Sequence, residues 1–222
     1  MTLHPDRPST VFLIDDDDRI RTSLARALNK RGFNVESFSS AEAFLEAYDL
    51  SQPGCLVLDY GMPGLNGLDL QKHLAENDIP IPIIFISGQG GVPESVQAMK
   101  AGAIDFLEKP FRQIDLIGCI ETAFVTDSDR RKAANATKLA RSKFERLTAR
   151  EKEVALFIIA HPSSTSSKEV GRELDISPRT VDHHRARILE KMSIASVAEL
   201  IDLSGSLEGL ESSPSLQTEQ SN

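Results

Sequence analysis

The chain has 222 residues and a formal net charge of −8 at pH 7, with 25 basic and 33 acidic side chains, so its surface as a whole does not suit a polyanion. No apolar run reaches the length of a membrane span, and Cys55 and Cys119 form neither a disulfide framework nor a metal-ligand spacing; both are expected as buried free thiols of a cytoplasmic protein without membrane contact. The charge is uneven: residues 1–125 carry 10 basic and 18 acidic groups, residues 126–204 carry 15 and 12, and residues 205–222 carry three Glu and no basic group, so only the middle segment is fitted to meet a polyanion.

Taken in order, VFLI at 11–14 reads as a buried strand that stops at four acids, Asp15 to Asp18. Ile20, Leu24 and Leu28 then recur at helical spacing. A short alternating strand at 33–38 and a helix at 41–49 follow, and LVL at 56–58 reads as a third strand closing on Asp59. Tyr60-Gly61-Met62-Pro63-Gly64 cannot continue that strand, because Gly and Pro set turn geometry and Pro lacks a ladder donor. A helix at 65–77, a strand at 79–87, a helix at 93–101, a strand at 104–107 and a helix at 114–125 complete the pattern. Five strand-helix alternations predict an α/β domain over residues 10–125, a doubly wound five-stranded parallel sheet with helices on both faces.

Residues 126–146 are charged and rich in alanine, without Gly or Pro, and read as a linker helix. The segment 147–204 is expected to be all-α. Thr148 with Glu151 makes a capping box, 161–167 a loop, 168–174 a short helix and 175–177 a tight turn. Ser177 caps and Pro178 opens a helix running to about Met192, and 196–203 forms the last one. The tail, 205–222, is polar and expected to be disordered.

In a doubly wound sheet the carboxyl ends of the first, third, fourth and fifth strands lie together at the switch in strand order. Asp15 and Asp16, Asp59, Ser87 and Lys109 should therefore share one cleft. Three close carboxylates repel one another, so either their pKa values rise or a divalent cation offsets the charge, and hard oxygen ligands suit Mg²⁺. A Lys and a hydroxyl can hold the oxygens of an incoming phosphoryl group while Asp59, already ionised, acts as nucleophile. Each residue alone also fits a blander role: a solvated strand end, an acidic helix start, a turn serine, a surface lysine. Their joint placement at four strand ends is what argues for a site.

The segment 168–192 reads as helix, turn, longer helix, an arrangement that places a second helix in the DNA major groove. Val170, Leu174, Ile176, Val181, Ile188 and Met192 supply its buried contacts, and Arg179, Arg185, Arg187 and Lys191 an exposed basic face. A small helical dimerisation bundle with solvated charges fits the same pattern.

The quoted motifs of the first domain, the acid pair at 15–16, LDYGMPG, FISGQG and DFLEKPF, resemble the receiver domain of two-component response regulators, a flavodoxin-like fold. LTAREKEV, ISPRTVDHHRARILEKM and SVAEL resemble the LuxR-type helix-turn-helix domain, and together the two resemble the FixJ/NarL class, FixJ most closely. The resemblance implies that Asp59 accepts a phosphoryl group from a sensor histidine kinase. Asp15, Asp16, Asp59 and the Gly61 carbonyl would hold Mg²⁺, Ser87 and Lys109 would assist, and Ser87 and Phe106 would relay the switch. Phe106 lacks the hydroxyl many members carry there. In the second domain it implies that His183 and Ala186 face bases, with Asp182 on the same face, and that Lys168, Thr180 and His184 lie nearer the backbone, where His184 fits a structural role in the helix pair equally well; Arg179, Arg187 and Lys191 of the basic face suit phosphates. Asp182 stands where the family often has Lys, and the 161–167 loop is about three residues longer than usual. The implied function is a phosphorylation-dependent DNA-binding transcription regulator. It would be a homodimer when phosphorylated, with promoter DNA and RNA polymerase as partners, and no enzyme beyond Mg-dependent self-phosphorylation and dephosphorylation at Asp59. A phosphoacceptor adaptor with a degenerate DNA-binding domain, acting through protein contacts, and an enzyme acting on an external substrate at the acidic cleft are the competing readings.

Overall fold

The computed structural model describes residues 8–88 and 91–207, which divide into two compact units, one ending at Arg131 and the other beginning at Lys132. In the first unit β1 (Thr10–Ile14), β2 (Asn34–Phe38), β3 (Gly54–Asp59), β4 (Ile83–Ser87) and β5 (Asp105–Glu108) alternate with α1 (Asp18–Asn29), α2 (Ala41–Ala47), α3 (Gly67–Glu76), α4 (Val92–Lys100) and α5 (Gln113–Glu145). The strands form one parallel sheet in the order β2-β1-β3-β4-β5. This is the doubly wound, flavodoxin-like arrangement expected of residues 10–125.

Side chains alternate across a strand, so the continuous apolar runs feed two cores at once. Phe12, Ile14, Leu56, Leu58 and Phe85 pack on one face against Phe44 of α2, Leu70 and Leu74 of α3 and Ala98 of α4. Val11, Leu13, Cys55, Val57, Ile84 and Ile86 pack on the other against Leu28 of α1 and Leu116, Ile117 and Ile120 of α5. The central strands are buried throughout, whereas the edge strands carry Glu36 and Glu108, charges that discourage pairing with another sheet.

The first unit does not end at residue 125. Helix α5 continues without a break to Glu145, and Asp127 is buried in the first unit. Its Oδ2 accepts from the Gly54 amide at 3.0 Å and from Arg131 Nε at 2.8 Å. Arg131 also donates to the carbonyls of Leu50, Ser51 and Gln52. A helical extension read as linker thus closes the entrance to β3. Cys119 is half-buried rather than buried, because its Sγ turns to Asp105 Oδ2 at 3.2 Å. Burial pushes its thiol up to about 12, with Asp105 adding to the rise, and burial raises Cys55 too, so both stay protonated at neutral pH.

The second unit is helical among the described residues: α6 (Ala149–Ala160), α7 (Ser167–Glu173), α8 (Pro178–Met192), α9 (Val197–Asp202) and α10 (Ser204–Leu207). Phe144, Val154, Ile158, Val170, Val181, Ile188, Met192 and Leu200 form its core, with Leu174 and Ile176 partly buried at the edge. Residues 205–207 are not part of a disordered tail. They lie in α10, whose Leu207 joins the core; the rest of that expectation, 208–222, lies outside the described residues. The loop after α6 is shorter than its sequence suggests, because Ser166 caps α7 through a second capping box with Glu169. At the turn, a Cβ on Gly171 would lie 2.6 Å from the Ile176 carbonyl oxygen, so only glycine lets α7 and the turn approach this closely.

The capping box at Thr148 and Glu151 is present, and Glu151 does a second job. Its Oε2 accepts from the Thr148 amide at 2.7 Å and from Lys191 Nζ at 2.6 Å, tying the start of α6 to the end of α8. Burial of the carboxyl works to raise its pKa, but the bonds from Lys191 and Thr148 outweigh that and hold it below the usual range.

Glu151→Gln is expected to lower the stability of the second unit by roughly 2 kcal/mol in thermal unfolding near neutral pH. Because the folded pKa is depressed, the carboxylate's contribution is present above its unfolded value of about 4.5 and fades as pH falls through the folded pKa, so the gap between Gln variant and parent should narrow in acid. Asp127→Ala should cost the first unit about 2 to 3 kcal/mol in denaturant unfolding, since it strands the buried Gly54 amide and removes the one carboxylate partner of Arg131 among the described residues.

Candidate functional site

The strand ends bring the expected cluster together. β1 delivers Asp15, fully buried, and the chain turns outward to Asp16, which is exposed, before Asp17 caps α1 by accepting from the amides of Arg19 and Ile20. β3 delivers Asp59, and one carboxylate oxygen from each of Asp15, Asp16 and Asp59 lies within 4.8 Å of the others. Lys109, one residue beyond β5, stands among them: its Nζ is 2.9 Å from Asp15 Oδ2 and 3.3 Å from Asp59 Oδ1. Its main chain is fixed as well, since the Lys109 amide donates to the Ser87 carbonyl at 2.7 Å. Ser87 closes β4 and is 2% exposed.

The local sequence explains the geometry of the rim. Tyr60 donates its amide to Ile86 and accepts from the Gly67 amide, folding the 60–67 segment back over the end of β3. A Cβ on Gly67 would meet Phe85 Cε1 at 2.8 Å and the Asp59 carbonyl at 2.9 Å, so α3 can start this close to Asp59 only with glycine there. Gly61 is exposed at the rim, with its surroundings open. Phe106 lies partly buried beside the cleft, its ring 6.0 Å from Tyr60 and 6.1 Å from Phe85.

The electrostatics are those of an underneutralised anion cluster. Burial pushes the Asp59 carboxyl above the ordinary range, Lys109 opposes the rise, and Asp15 and then Asp16 add to it. One ammonium faces three carboxylates, two of them buried, and a further cation would lower the free energy of the ionised cluster. All the donors are hard oxygens, which fits a divalent ion such as Mg²⁺ and not a thiophilic one.

In the second unit Arg179, Asp182, His183, Ala186 and Arg187 are exposed and recur on α8 at intervals of three and four, opposite the buried Val181, Ile188 and Met192. Lys168 on α7 is exposed too, while Thr180 and His184 are half-buried. Two members of the expected basic face are engaged elsewhere. Lys191 is the partner of Glu151. Arg185 turns inward, its Nη1 donating to Ser167 Oγ at 3.0 Å and its Nε and Nη2 buried without partners. Arg187 pairs with exposed Glu190 at 3.1 Å, a contact that water and salt weaken. Ser167, which also hydrogen-bonds to Asp182, was not singled out by the sequence, because nothing in its type or position signals a link to α8.

Two domain families match the chain: the response regulator receiver domain over residues 11–121, and the luxR family of bacterial regulatory proteins over residues 145–204. The response regulator protein TmoT of Ectopseudomonas mendocina is 41% identical over 196 residues, covering 88% of each chain. The transcriptional regulatory protein FixJ of Bradyrhizobium diazoefficiens is 40% identical over 193 residues, covering 87% of this chain and 93% of that protein. The low-resolution structure of the response regulator StyR, 40% identical, covers 90% of this chain and 99% of its own with a TM-score of 0.77. No observation supports the adaptor with a degenerate DNA-binding domain. With an acidic cleft at the strand ends of one unit and a helix-turn-helix in the other, the chain belongs to the response regulators that join a receiver to a luxR-type DNA-binding domain, and it is a phospho-signalling, DNA-binding regulator of transcription.

Proposed function

We propose that Asp59 is the phosphoacceptor and that a sensor histidine kinase is its donor. The observation that carries this is the position of Asp59 at the mouth of the cleft, 3.3 Å from the Lys109 ammonium and within one ligand set with Asp15 and Asp16. A carboxylate oxygen of Asp59 attacks phosphorus, the bond from phosphorus to the donor breaks, and an acyl phosphate remains. No general base is needed when Asp59 attacks as the carboxylate, the form that the Lys109 ammonium favours. Lys109 and the Ser87 hydroxyl stabilise the charge that develops on the phosphoryl oxygens. Asp15, Asp16, Asp59 and the Gly61 carbonyl would hold Mg²⁺, which supplies neutralisation of the approaching anions. The same groups, with water as acceptor, allow self-dephosphorylation, and no chemistry on an outside substrate is assigned to the cleft.

The new charge of about −1.5 to −2 must alter packing to have a remote effect. Ser87 and Phe106 are the residues beside the cleft that would respond. Phe106, without a hydroxyl, can only change how it packs among Tyr60 and Phe85. Helix α4 exposes Val92, Val96 and Met99 at intervals of four and three, an apolar stripe suited to a second copy of the chain. Dimerisation on phosphorylation would present two reading heads to two half-sites. Lys168, Arg179, Thr180, Asp182, His183, His184, Ala186 and Arg187 are the DNA-contacting set, with Lys191 contributing through its hold on the end of α8. The location is cytoplasmic, where kinase, promoter and RNA polymerase are met; no helix among the described residues is long and apolar enough to cross a membrane.

Incubation with acetyl phosphate and Mg²⁺ should modify Asp59 alone, chelation should stop the reaction, and Lys109→Ala should slow it by roughly 10²-fold; mass mapping that still finds the phosphoryl group in Asp59→Asn would overturn the assignment. In sedimentation experiments the phosphorylated chain should be a dimer. Val96→Glu, distant from the acid cluster, should leave the phosphorylation rate unchanged and raise the dimer dissociation constant by roughly tenfold or more, as an isolated charge on an apolar contact requires.

A further inference from the structure

The chemistry of α8 is unusual for a helix that approaches a polyanion, because Asp182 lies on its exposed stripe, the one acid in its first two turns. A carboxylate there is repelled by phosphates, so its presence needs a donor to meet. Its surroundings show that it is held in place. Arg185 Nη1 donates to Ser167 Oγ at 3.0 Å, and a guanidinium cannot accept, so the serine hydroxyl must give its own proton elsewhere. It gives it to Asp182 Oδ1. The result is a directed chain, Arg185 to Ser167 to Asp182, that spans α7 and α8 and occupies one carboxylate oxygen. Arg185 has no other hydrogen-bond partner among the described residues, since its Nε and Nη2 are buried unpaired, so its bond to Ser167 is the one that orients it. Oδ2 is left as the acceptor that an incoming donor can use, and its direction is set before any ligand arrives.

Donors on base edges in the major groove are the exocyclic amines of cytosine and adenine. Each amine has the carbonyl oxygen of the paired base on one side; on the other side the adenine amine has the N7 acceptor of its own ring, which repels a carboxylate, and the cytosine amine a C–H. A lone acid on a reading helix therefore favours cytosine, whereas an amide at the same place, with a donor and an acceptor, matches adenine. We propose that Asp182 is a specificity-determining residue, accepting through Oδ2 a hydrogen bond from the N4 amine of a cytosine in each half-site, with Ser167 as the positioning residue that fixes the carboxylate. The assignment rests on the DNA-contacting set given under Proposed function, with α8 seated in the major groove.

Duplexes selected from a random-sequence pool by the phosphorylated full-length chain test it, with Asp182→Asn, Asp182→Ala and Ser167→Ala run beside the parent and helical content checked for each. The parent should favour cytosine by about fivefold or more at one position of each half-site. Asp182→Ala should lose the preference at that position alone, and Asp182→Asn should move it to adenine. Ser167→Ala, which keeps the carboxylate but frees it, should retain cytosine with a preference roughly halved or lower. If the motif of Asp182→Ala matches the parent's at every position, whatever the change in affinity, the assignment is wrong and the seating of α8 survives. A parent pool without an enriched sequence would overturn both.

Discussion

The receiver unit depends on the ammonium of Lys109. Asp15 is fully buried and Asp59 nearly so, and two carboxylates taken out of water at this separation would force one of them to stay protonated. Lys109 touches both, and the hydrogen bond its main-chain amide donates to the Ser87 carbonyl fixes where its side chain starts. It is one ammonium against three carboxylates, and Asp59 stays above the ordinary carboxylate range because burial raises it, Lys109 opposes that, and Asp15 and Asp16 add to the rise. That shortfall is the useful quantity. A cleft balanced by its own residues would have no reason to bind a cation or to respond when its charge changes.

Glu151 and Lys191 play a comparable part in the helical unit, by the opposite outcome. There one carboxylate meets one ammonium and two further donors from a helix start, and the carboxyl falls below its ordinary range. The pair is satisfied, so it holds α6 and α8 in place and offers nothing to a ligand. The same residue types thus make an incompletely neutralised cluster in one unit and a fastener in the other, and the difference lies in the count of donors around the acid.

The sheet and the cleft were legible from residue order because each strand is a short apolar run ending in a polar residue, and parallel strands put all those ends on one edge. Asp15, Asp59, Ser87 and Lys109 could be placed together without knowing a single contact. What stayed hidden were long-range partners whose sequence positions carry no periodicity. Asp127 and Arg131 looked like members of a charged linker, yet they close the entrance to β3 through backbone groups of residues 50–54, and a main-chain partner leaves no mark in its own side chains. On α8 a simple count of basic residues misplaced Arg185 and Lys191, because helical phase and not charge decides which side faces outward: both stand toward α6 and α7.

Phe106 sharpens what a phosphoryl group at Asp59 would have to do. A hydroxyl at this position could be held outside by a single hydrogen bond, and two rotamers could then be set apart by one polar contact. A phenyl ring has no such anchor. Its place is decided by the cluster with Phe85 of the neighbouring β4 and with Tyr60, the residue that follows Asp59 at the end of β3. Tyr60 follows Asp59 directly and donates its amide to Ile86, so a shift of the 59–60 main chain reaches the ring cluster and β4 together. Movement at the cleft would therefore pass into the β4–β5 side of the sheet as a packing change of three aromatic rings, with the dense interior, not a hydrogen bond, separating the two arrangements.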